Sequence, residues 1–307
     1  MSGSAATRDT MTASPSPRVS VVIPAFNAEA YLAETVSSVL AQTFRDCEIV
    51  AVNDGSTDGT RSVLAAFGDR LRVIDQENRG LPGARNRGVA EARGEWVAFL
   101  DADDLWLPEK LEKQMALVEA DPSYELVYTN RYNIGVVGDL PEVQSDVQPL
   151  LAGDVFEDLL TVGNVITVSS SLVRRSTFLA LGGFDETLRA AEDWDLWLRL
   201  TATGRVGVVA DPLVRYRHHA QMMSKDPTRM MLAREQVVGK ALSSARGRSL
   251  PQRTRRRIRA ATWNTNAWDA ERTEHRALAL RWYLQALAWW PSVQSVKGLA
   301  RIALGRS

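Results

Sequence analysis

Short apolar runs alternate with segments of helical periodicity over the first hundred residues. The apolar runs are rich in β-branched residues, which is typical of strands buried on both faces. Four strands are predicted, at residues 19–24, 48–54, 71–75 and 95–100, and the first two are expected to be buried in this way. Residues 28–42 carry apolar side chains at helical spacing, and further helices are predicted after Asp58 and up to about Ala92. Strict alternation with short connections predicts right-handed βαβ units and a parallel sheet.

The pattern is less regular after residue 104. Two helices and three strands are predicted there: helices at 108–120 and 192–200, and strands at 124–129, 165–173 and 206–209. Residues 131–150 show no clear period and are expected to be a loop. From about Met230 to the end the pattern is helical, with breaks near Gly247 and Pro251.

Three carboxylates follow the fourth predicted strand within four residues: Asp101, Asp103 and Asp104. An unpaired buried carboxylate is costly, so such a cluster is expected to face solvent, a cation or a cationic partner. Asp101 and Asp103, two residues apart, suit one hard divalent ion. A solvated turn that also caps the next helix fits the same residues, and Asp104 suits that role. Ligands of parallel sheets bind at the carboxyl ends of the strands, where Pro24 and Asp54 also fall.

Two other acidic positions also admit two interpretations. Asp54 opens a helix and suits either a turn with a cap or a carboxylate that accepts a hydrogen bond from a nucleobase. Glu192 and Asp193 precede two tryptophans. They suit a helix start packed on the core, or a general base whose basicity is raised by loss of solvent. Adjacent His218 and His219 suit a solvated pair better than joint ligation of one ion.

Composition bounds the architecture. The 307 residues allow one large α/β domain plus an appendage, and no apolar stretch is long enough to span a bilayer. Residues 1–17 are expected to be a disordered leader, and the single Cys47 is compatible with a reducing cytoplasm.

The net charge of zero hides an asymmetry, because residues 226–307 carry sixteen Lys and Arg against five Asp and Glu. We therefore expect a domain at 18–225, with halves at 18–104 and 105–225, and a basic helical extension at 226–307.

The extension has a dense basic stretch followed by an aromatic one. Its arginines are Arg246, Arg248, Arg253, Arg255, Arg256, Arg257 and Arg259. Residues 278–290 then present a broad apolar face with three tryptophans. This pattern suits peripheral contact with an anionic membrane surface. It also suits an appendage that packs its aromatics on the domain at 18–225 or on a second subunit of a homo-oligomer, with its arginines solvated. Nucleic acid is not expected as a partner, because the arginines are little interleaved with aromatics.

Five motifs occur in one order along the chain: Val21–Asn27, Val52–Asp58, Asn78–Gly88, Phe99–Asp104 and Glu192–Trp197. In this order and spacing the chain resembles the family 2 glycosyltransferases over roughly residues 19–224. The resemblance implies a GT-A type fold, a Rossmann-like, mostly parallel sheet flanked by helices, that binds a nucleotide-diphosphate sugar.

The resemblance implies a donor site made by the first three motifs. Asp54 would contact the base, and Pro24 and Phe26 would shape the pocket around it. Arg85 and Asn86 would lie on the donor side.

The resemblance implies roles for the later motifs as well. Asp101 would lie near ribose and sugar, and Asp103 would bind Mg²⁺ or Mn²⁺ on the diphosphate. Asp193, with Glu192 beside it, would deprotonate the acceptor hydroxyl. His219 matches the histidine of a Tyr-Arg-x-His segment found near the metal, although the family's Asn-rich continuation is Ala-Gln-Met-Met here.

The function implied is metal-dependent transfer of a sugar, with inversion, from a nucleotide-diphosphate sugar that is expected to be UDP-linked. The acceptor would be a saccharide or a lipid-linked saccharide, in cell-surface polysaccharide or glycoconjugate synthesis. The setting would be cytoplasmic, or peripheral at the inner face of the membrane, and residues 131–165 are expected to select the acceptor. A non-catalytic nucleotide-sugar-binding or scaffold protein of the same fold is the alternative. A nucleotidyltransferase would need a Gly-rich, basic loop after the first strand, whereas this chain has Pro24–Asn27.

Overall fold

A computed structural model describes residues 16–135, 142–218 and 227–304 of the chain. Most of the expected leader and the predicted metal ligand His219 lie outside the described residues, as do residues 136–141 of the expected acceptor-selecting segment.

The first half of the expected domain, residues 18–104, forms the predicted parallel sheet. Its strands are β1 (Val19–Ala25), β2 (Cys47–Asp54), β3 (Arg72–Gln76) and β4 (Trp96–Phe99). Helices α1 (Leu32–Leu40), α2 (Thr60–Ala65) and α3 (Gly80–Glu91) connect them. The strands lie side by side in the order β3-β2-β1-β4, all parallel. Every residue of β1 is buried, with Val22 in the core on one face of the sheet and Val21 and Ile23 in the core on the other. This two-sided burial explains the continuous apolar run.

The second half extends the sheet with mixed directions. Its strands are β5 (Leu105–Trp106), β6 (Tyr124–Ile134), β7 (Ser171–Arg174) and β8 (Arg205–Arg217). Its helices are α4 (Lys110–Ala120), α5 (Phe156–Val162), α6 (Arg175–Ala180) and α7 (Glu192–Thr201). Beyond β4 the order continues β7-β6-β8-β5, with β7 antiparallel to both of its neighbours and β6 parallel to β8.

Two sequence predictions in this half are wrong in detail. The expected loop at 131–150 begins as a strand, because β6 continues to Ile134 alongside β8. Residues 131–134 contain no apolar run, and backbone hydrogen bonds to β8 hold them in the sheet. The expected strand at 165–173 is extended only from Ser171, since residues 168–170 form a 3₁₀ turn.

Five helices form the C-terminal part of the chain: α8 (Pro227–Ser243), α9 (Ala245–Ser249), α10 (Gln252–Arg272), α11 (Arg276–Trp289) and α12 (Val293–Ala303). Val237, Val238 and Leu242 of α8 are buried in the same core as β4. Trp282 and Tyr283 of α11 are buried in a smaller core with α10, within the extension itself. Within the described ranges no helix is both long and apolar enough to cross a bilayer.

Candidate functional site

Several polar side chains meet at the carboxyl edge of the parallel strands. Asp54 ends β2, Asp101 follows β4 after one residue, and Glu192 opens α7. Pro24 is buried within β1, and Phe26, just beyond that strand, keeps 52% of its surface exposed. An exposed aromatic ring beside a row of polar groups is suited to contact with a planar ligand.

Asp54 is held in a fixed orientation. Its Oδ1 accepts a hydrogen bond from Gln76 Nε2 at 2.7 Å and another from the backbone N–H of Arg79 at 2.9 Å. The carboxylate is buried, and its Oδ2 accepts no hydrogen bond among the described residues. Asp54 Oδ2 is not one of the fully enclosed atoms, so it is open to accept an N–H from a ligand.

Arg85 on α3 joins two acidic elements. Its Nη2 lies 2.6 Å from Asp101 Oδ1 and its Nη1 lies 2.7 Å from Glu192 Oε1. The side chain is buried, and its guanidinium lies 5.3 Å from the centre of the Phe184 ring. Burial alone would lower the pKa of Arg85, but the two carboxylates raise it above its ordinary value. A buried cation with two anionic partners is costly to remove, because both carboxylates would be left unpaired.

Asn86 lies next to Arg85 but binds protein groups. Its Oδ1 accepts from the backbone N–H of Phe184 at 2.9 Å. Its Nδ2 donates to the Phe184 carbonyl at 2.9 Å and to Glu186 Oε1 at 3.0 Å. The amide therefore holds the loop that places Phe184 against Arg85, and a direct contact of Asn86 with the donor stays a prediction.

The acidic loop after β4 is fixed by two residues far away in sequence. Buried Asp104 accepts from Ser169 Oγ at 2.5 Å and from the Arg217 backbone N–H at 2.9 Å. Burial, reinforced by Asp103 and Asp101, raises the pKa of Asp104 well above its ordinary value. Ser169 Oγ also accepts from the Asp101 N–H, and Arg217 Nε donates to the Asp103 carbonyl. Asp104 thus supports the loop from within. The sequence had suggested that it caps the next helix, but α4 has no side-chain cap.

Asp193 occupies the first turn of α7. Its Oδ2 accepts from Asn164 Nδ2 at 2.8 Å, and its Oδ1 accepts from the Trp194 N–H at 2.7 Å. Burial and the neighbouring Glu192 together raise the pKa of Asp193 to about 7, against the opposing effect of Arg85. A carboxylate with that pKa is suited to accept a proton near neutral pH.

The tryptophans of α7 give this helix its position. Trp194 Nε1 donates to the Leu159 carbonyl at 3.1 Å, and Trp197 Nε1 donates to the Ile166 carbonyl at 3.0 Å. Both rings are buried, so the start of the helix is packed on the core. The same first turn carries Asp193, whose pKa is raised. The two interpretations of this motif are therefore compatible.

The acidic loop fits a divalent ion that arrives with a ligand. Among residues 16–135, 142–218 and 227–304, no group of three or more His, Cys, Asp or Glu side chains is placed to hold a metal. Mg²⁺ is commonly held by one or two carboxylates together with substrate phosphates, so a larger set is not required. Asp101 is paired with Arg85, and the raised pKa of Asp104 favours its neutral form. Binding of such an ion by Asp103 stays a prediction.

Sequence reasoning missed a cation beside this loop. Arg131 on β6 has its guanidinium 4.1 Å from the centre of the Tyr216 ring, and its Nε donates to Gln144. Its Nη1 is buried without a hydrogen-bond partner, and burial lowers the pKa of Arg131. A lone arginine in a polar stretch of sequence carries no signal of such a position. Nearby, His218 Nε2 lies 3.0 Å from Asn133 Oδ1, which makes His218 part of the β6–β8 end.

The comparisons with known proteins agree on one family. The sequence model described as "Glycosyl transferase family 2" matches residues 20–177, just over half of the chain. A relative named as an uncharacterized glycosyltransferase, from Rickettsia felis, is 32% identical over 214 residues, which are 68% of this chain and 35% of that protein. EpsE of Bacillus subtilis, named as a glycosyltransferase, is 32% identical over 61% of this chain and 68% of its own length. The chain thus spans about a third of the Rickettsia felis relative.

Solved structures share the fold. TarS of S. aureus in complex with UDP-GlcNAc superposes with a TM-score of 0.61 at 18% identity, over 94% of this chain and 92% of that chain. The mannosyltransferase PcManGT from Pyrobaculum calidifontis, in complex with GDP-Man and Mn²⁺, gives a TM-score of 0.63 at 22% identity, over 94% and 80%. The mixed sheet with flanking helices is therefore the GT-A fold, and the fold predicted from the sequence is confirmed.

Proposed function

This chain belongs to glycosyl transferase family 2, and from that premise we propose that it transfers a sugar from a nucleotide-diphosphate sugar to an acceptor hydroxyl with inversion. The observation that carries the proposal is the position of Asp193. The carboxyl group of Asp193 has a pKa of about 7. It directly follows Glu192, and Arg85 joins Glu192 to Asp101 of the acidic loop after β4. Donor-side and acceptor-side groups are thereby linked through one buried cation.

The donor is proposed to be a UDP-sugar bound at the carboxyl edge of the sheet. Asp54 Oδ2 would accept the N–H of the base, beside the exposed Phe26 ring. Asp101 would lie near the ribose and the sugar, with its orientation set by Arg85. The TarS structure holds UDP-GlcNAc and the PcManGT structure holds GDP-Man, so nucleotide sugars of both bases occupy this fold.

Asp103 is proposed to hold Mg²⁺ or Mn²⁺ on the diphosphate, with His219 as a further proposed ligand outside the described residues. When bound, the ion would neutralise charge on the leaving nucleoside diphosphate. The protein's own part is to present Asp103 from a loop that Ser169 and Arg217 fix. Arg131, whose Nη1 has no hydrogen-bond partner among the described residues, is proposed to donate to an oxygen of the same ligand.

Asp193 is proposed to take the proton of the acceptor hydroxyl as its oxygen attacks the anomeric carbon. One displacement by that oxygen expels the nucleoside diphosphate and inverts the carbon. Glu192 is engaged by Arg85, which leaves Asp193 as the better base of the pair. The acceptor is proposed to be a saccharide or a lipid-linked saccharide on the cytoplasmic side of the membrane, in surface polysaccharide or glycoconjugate synthesis.

A panel of nucleotide sugars with and without Mn²⁺ or Mg²⁺ tests the proposal, with release of nucleoside diphosphate and the anomeric configuration of the product as readouts. Asp193→Asn should lower transfer about a hundredfold or more while donor binding persists, because only the proton acceptor is lost. Asp103→Asn should weaken metal-dependent donor binding. Asp104→Asn is the matched control, since a carboxamide can keep the bonds to Ser169 and to the Arg217 N–H.

Each part of the proposal can fail separately. Full transfer by Asp193→Asn would remove Asp193 from its role, and a product of retained configuration would exclude single displacement. A folded protein that bound nucleotide sugars without ever transferring them would be the non-catalytic alternative. A protein that bound no nucleotide under any condition would contradict the assignment of an enzyme.

A further inference from the structure

A cavity of about 590 Å³ lies between α10 and α11, away from the residues of the candidate site. We call it the arginine pocket. Arg255, Arg256 and Arg259 line it from α10, and Ala288 and Trp289 line it from α11. Positions three and four apart on a helix share one face, so each helix contributes one contiguous surface to the pocket.

The arginines of this pocket are positioned but not neutralised. Arg256 Nε donates to the Trp289 carbonyl at 3.1 Å, and the Arg259 guanidinium lies 5.0 Å from the centre of the Trp289 ring. Arg255 Nε is buried and has no hydrogen-bond partner. None of the ion pairs within the described part of the chain involves these three side chains. Burial raises the pKa of Glu235 and Arg259 opposes this shift, but the two form no ion pair.

An apolar stripe leads out of the arginine pocket along α11. Leu280, Leu284 and Ala288 follow one another at intervals of four residues, which places them on one face of the helix. Leu280 is 42% exposed and Leu284 is 53% exposed. A site with unneutralised arginines at one end and exposed leucines leading away from it matches an anionic head group joined to a hydrocarbon chain.

We propose that the arginine pocket binds the phosphate head group of an anionic membrane lipid, with the lipid's hydrocarbon along Leu284 and Leu280. Arginine is suited to this role because its planar donors match phosphate oxygens. Trp289 keeps two of the three guanidinium groups in place before the lipid arrives, which lowers the entropic cost of binding. The proposal specifies one lipid-binding site within the basic extension and does not depend on the proposed transfer reaction.

Vesicle flotation of the full chain tests the proposal, with phosphatidylglycerol mixed into phosphatidylcholine against phosphatidylcholine alone. The wild type should bind only the anionic vesicles. The triple variant Arg255→Gln, Arg256→Gln and Arg259→Gln should bind about a hundredfold more weakly, since each basic group near an anionic surface is worth about fivefold. Leu284→Asn should reduce binding roughly tenfold through the loss of apolar contact.

A second triple variant, Arg248→Gln, Arg272→Gln and Arg276→Gln, is the matched control. It removes the same charge from exposed positions outside the pocket, so its vesicle binding should stay within a few-fold of wild type. Equal losses in both triple variants would mean that net charge alone attracts the protein, which would overturn the proposal.

Calorimetry with inorganic phosphate and pyrophosphate separates the lipid from a soluble ligand. The lipid assignment predicts no binding of either anion in the pocket at millimolar concentration. If pyrophosphate bound to the wild type and to the control variant but not to the pocket variant, the pocket would be assigned to a soluble phosphate compound instead. UDP binding is measured in the same variants and should not change, so a failure of the proposed transferase activity and a failure of the lipid site are distinguishable.

Discussion

Arg85 decides the electrostatics of the candidate site at the scale of single residues. It is buried between Asp101 on the donor side and Glu192 at the start of α7. The cation contacts Glu192 directly, while it only partly offsets the effect of burial on the pKa of the neighbouring Asp193. Two adjacent acids therefore have different properties, one structural and one suited to proton transfer, because one arginine contacts only the first.

The pH dependence of transfer should report Asp193. A general base acts when it is deprotonated, and the raised pKa of Asp193, about 7, predicts that the rate rises with pH up to about that value. Asn164→Ala removes a hydrogen bond that lowers this pKa. The acid limb of kcat/KM should then move to higher pH by roughly half a unit to one unit.

The measurement is a pH profile of kcat/KM for wild type and Asn164→Ala, with nucleotide affinity followed in parallel. Two results would contradict the assignment. One is an acid limb of the wild-type profile near the ordinary pKa of an aspartate, and the other is an acid limb at the same pH in wild type and Asn164→Ala. A purely structural role of Asn164 would lower the rate at every pH without moving the limb.

Close packing of α3 on β1 sets the geometry of the site at the scale of elements. A Cβ added to Gly88 would lie 2.3 Å from Val22 Cγ1, so α3 approaches the sheet closely at this point. Arg85 and Asn86 lie within one turn of Gly88 on the same helix. The closeness of this contact places Arg85 within reach of both Asp101 and Glu192.

Gly88→Ala should therefore be destabilising by about 1–3 kcal/mol, because the added methyl group would push α3 away from β1. Gly239→Ala is the matched control, since Gly239 is also helical and a Cβ there would meet nothing within 4 Å. That substitution should stabilise the protein by up to about 1 kcal/mol through helix propensity. Chemical denaturation of both variants checks the prediction, and equal effects would argue against the close contact at Gly88.

The C-terminal helices take part in the main core at the scale of the whole molecule. Val237 and Val238 of α8 and Ile258 of α10 are buried with residues of the sheet and of α7. Lys240 Nζ lies 2.6 Å from the buried Asp195 Oδ1 and 2.7 Å from Asp185 Oδ2. The helix that carries Asp193 is thus supported from α8, across the domain boundary expected at residue 225.

Removal of residues 227–307 should abolish cooperative thermal unfolding, because it exposes that shared core. Removal of residues 276–307 leaves α8 and α10 in place and should preserve a cooperative transition, although at a lower temperature. Calorimetry or circular dichroism of both shortened chains is the check. A chain ending at residue 226 that melted as sharply as the full chain would establish the extension as a separate domain.

Local sequence patterns were enough to predict strands β1–β4 and the positions of the acids that follow them. Strands buried on both faces require continuous apolar runs, and parallel strands place Asp54 and Asp101 at one edge. These properties are local, since each depends on a few consecutive residues and on general rules of connection. Resemblance to a family added the roles that remain proposed for Asp54, Asp103 and Asp193.

Which charged groups meet depends on how the whole chain folds. Arg85 pairs with Glu192 across 107 positions, Asp104 with Ser169 across 65, and Arg217 reaches the Asp103 carbonyl across 114. No local pattern encodes such partners, because each side chain alone looks like an ordinary surface or cap residue. The continuation of β6 to Ile134 has the same cause, since β8 stabilises it from far along the chain. Burial and charge at the site are properties of these long-range contacts, and they appear only once the chain is folded.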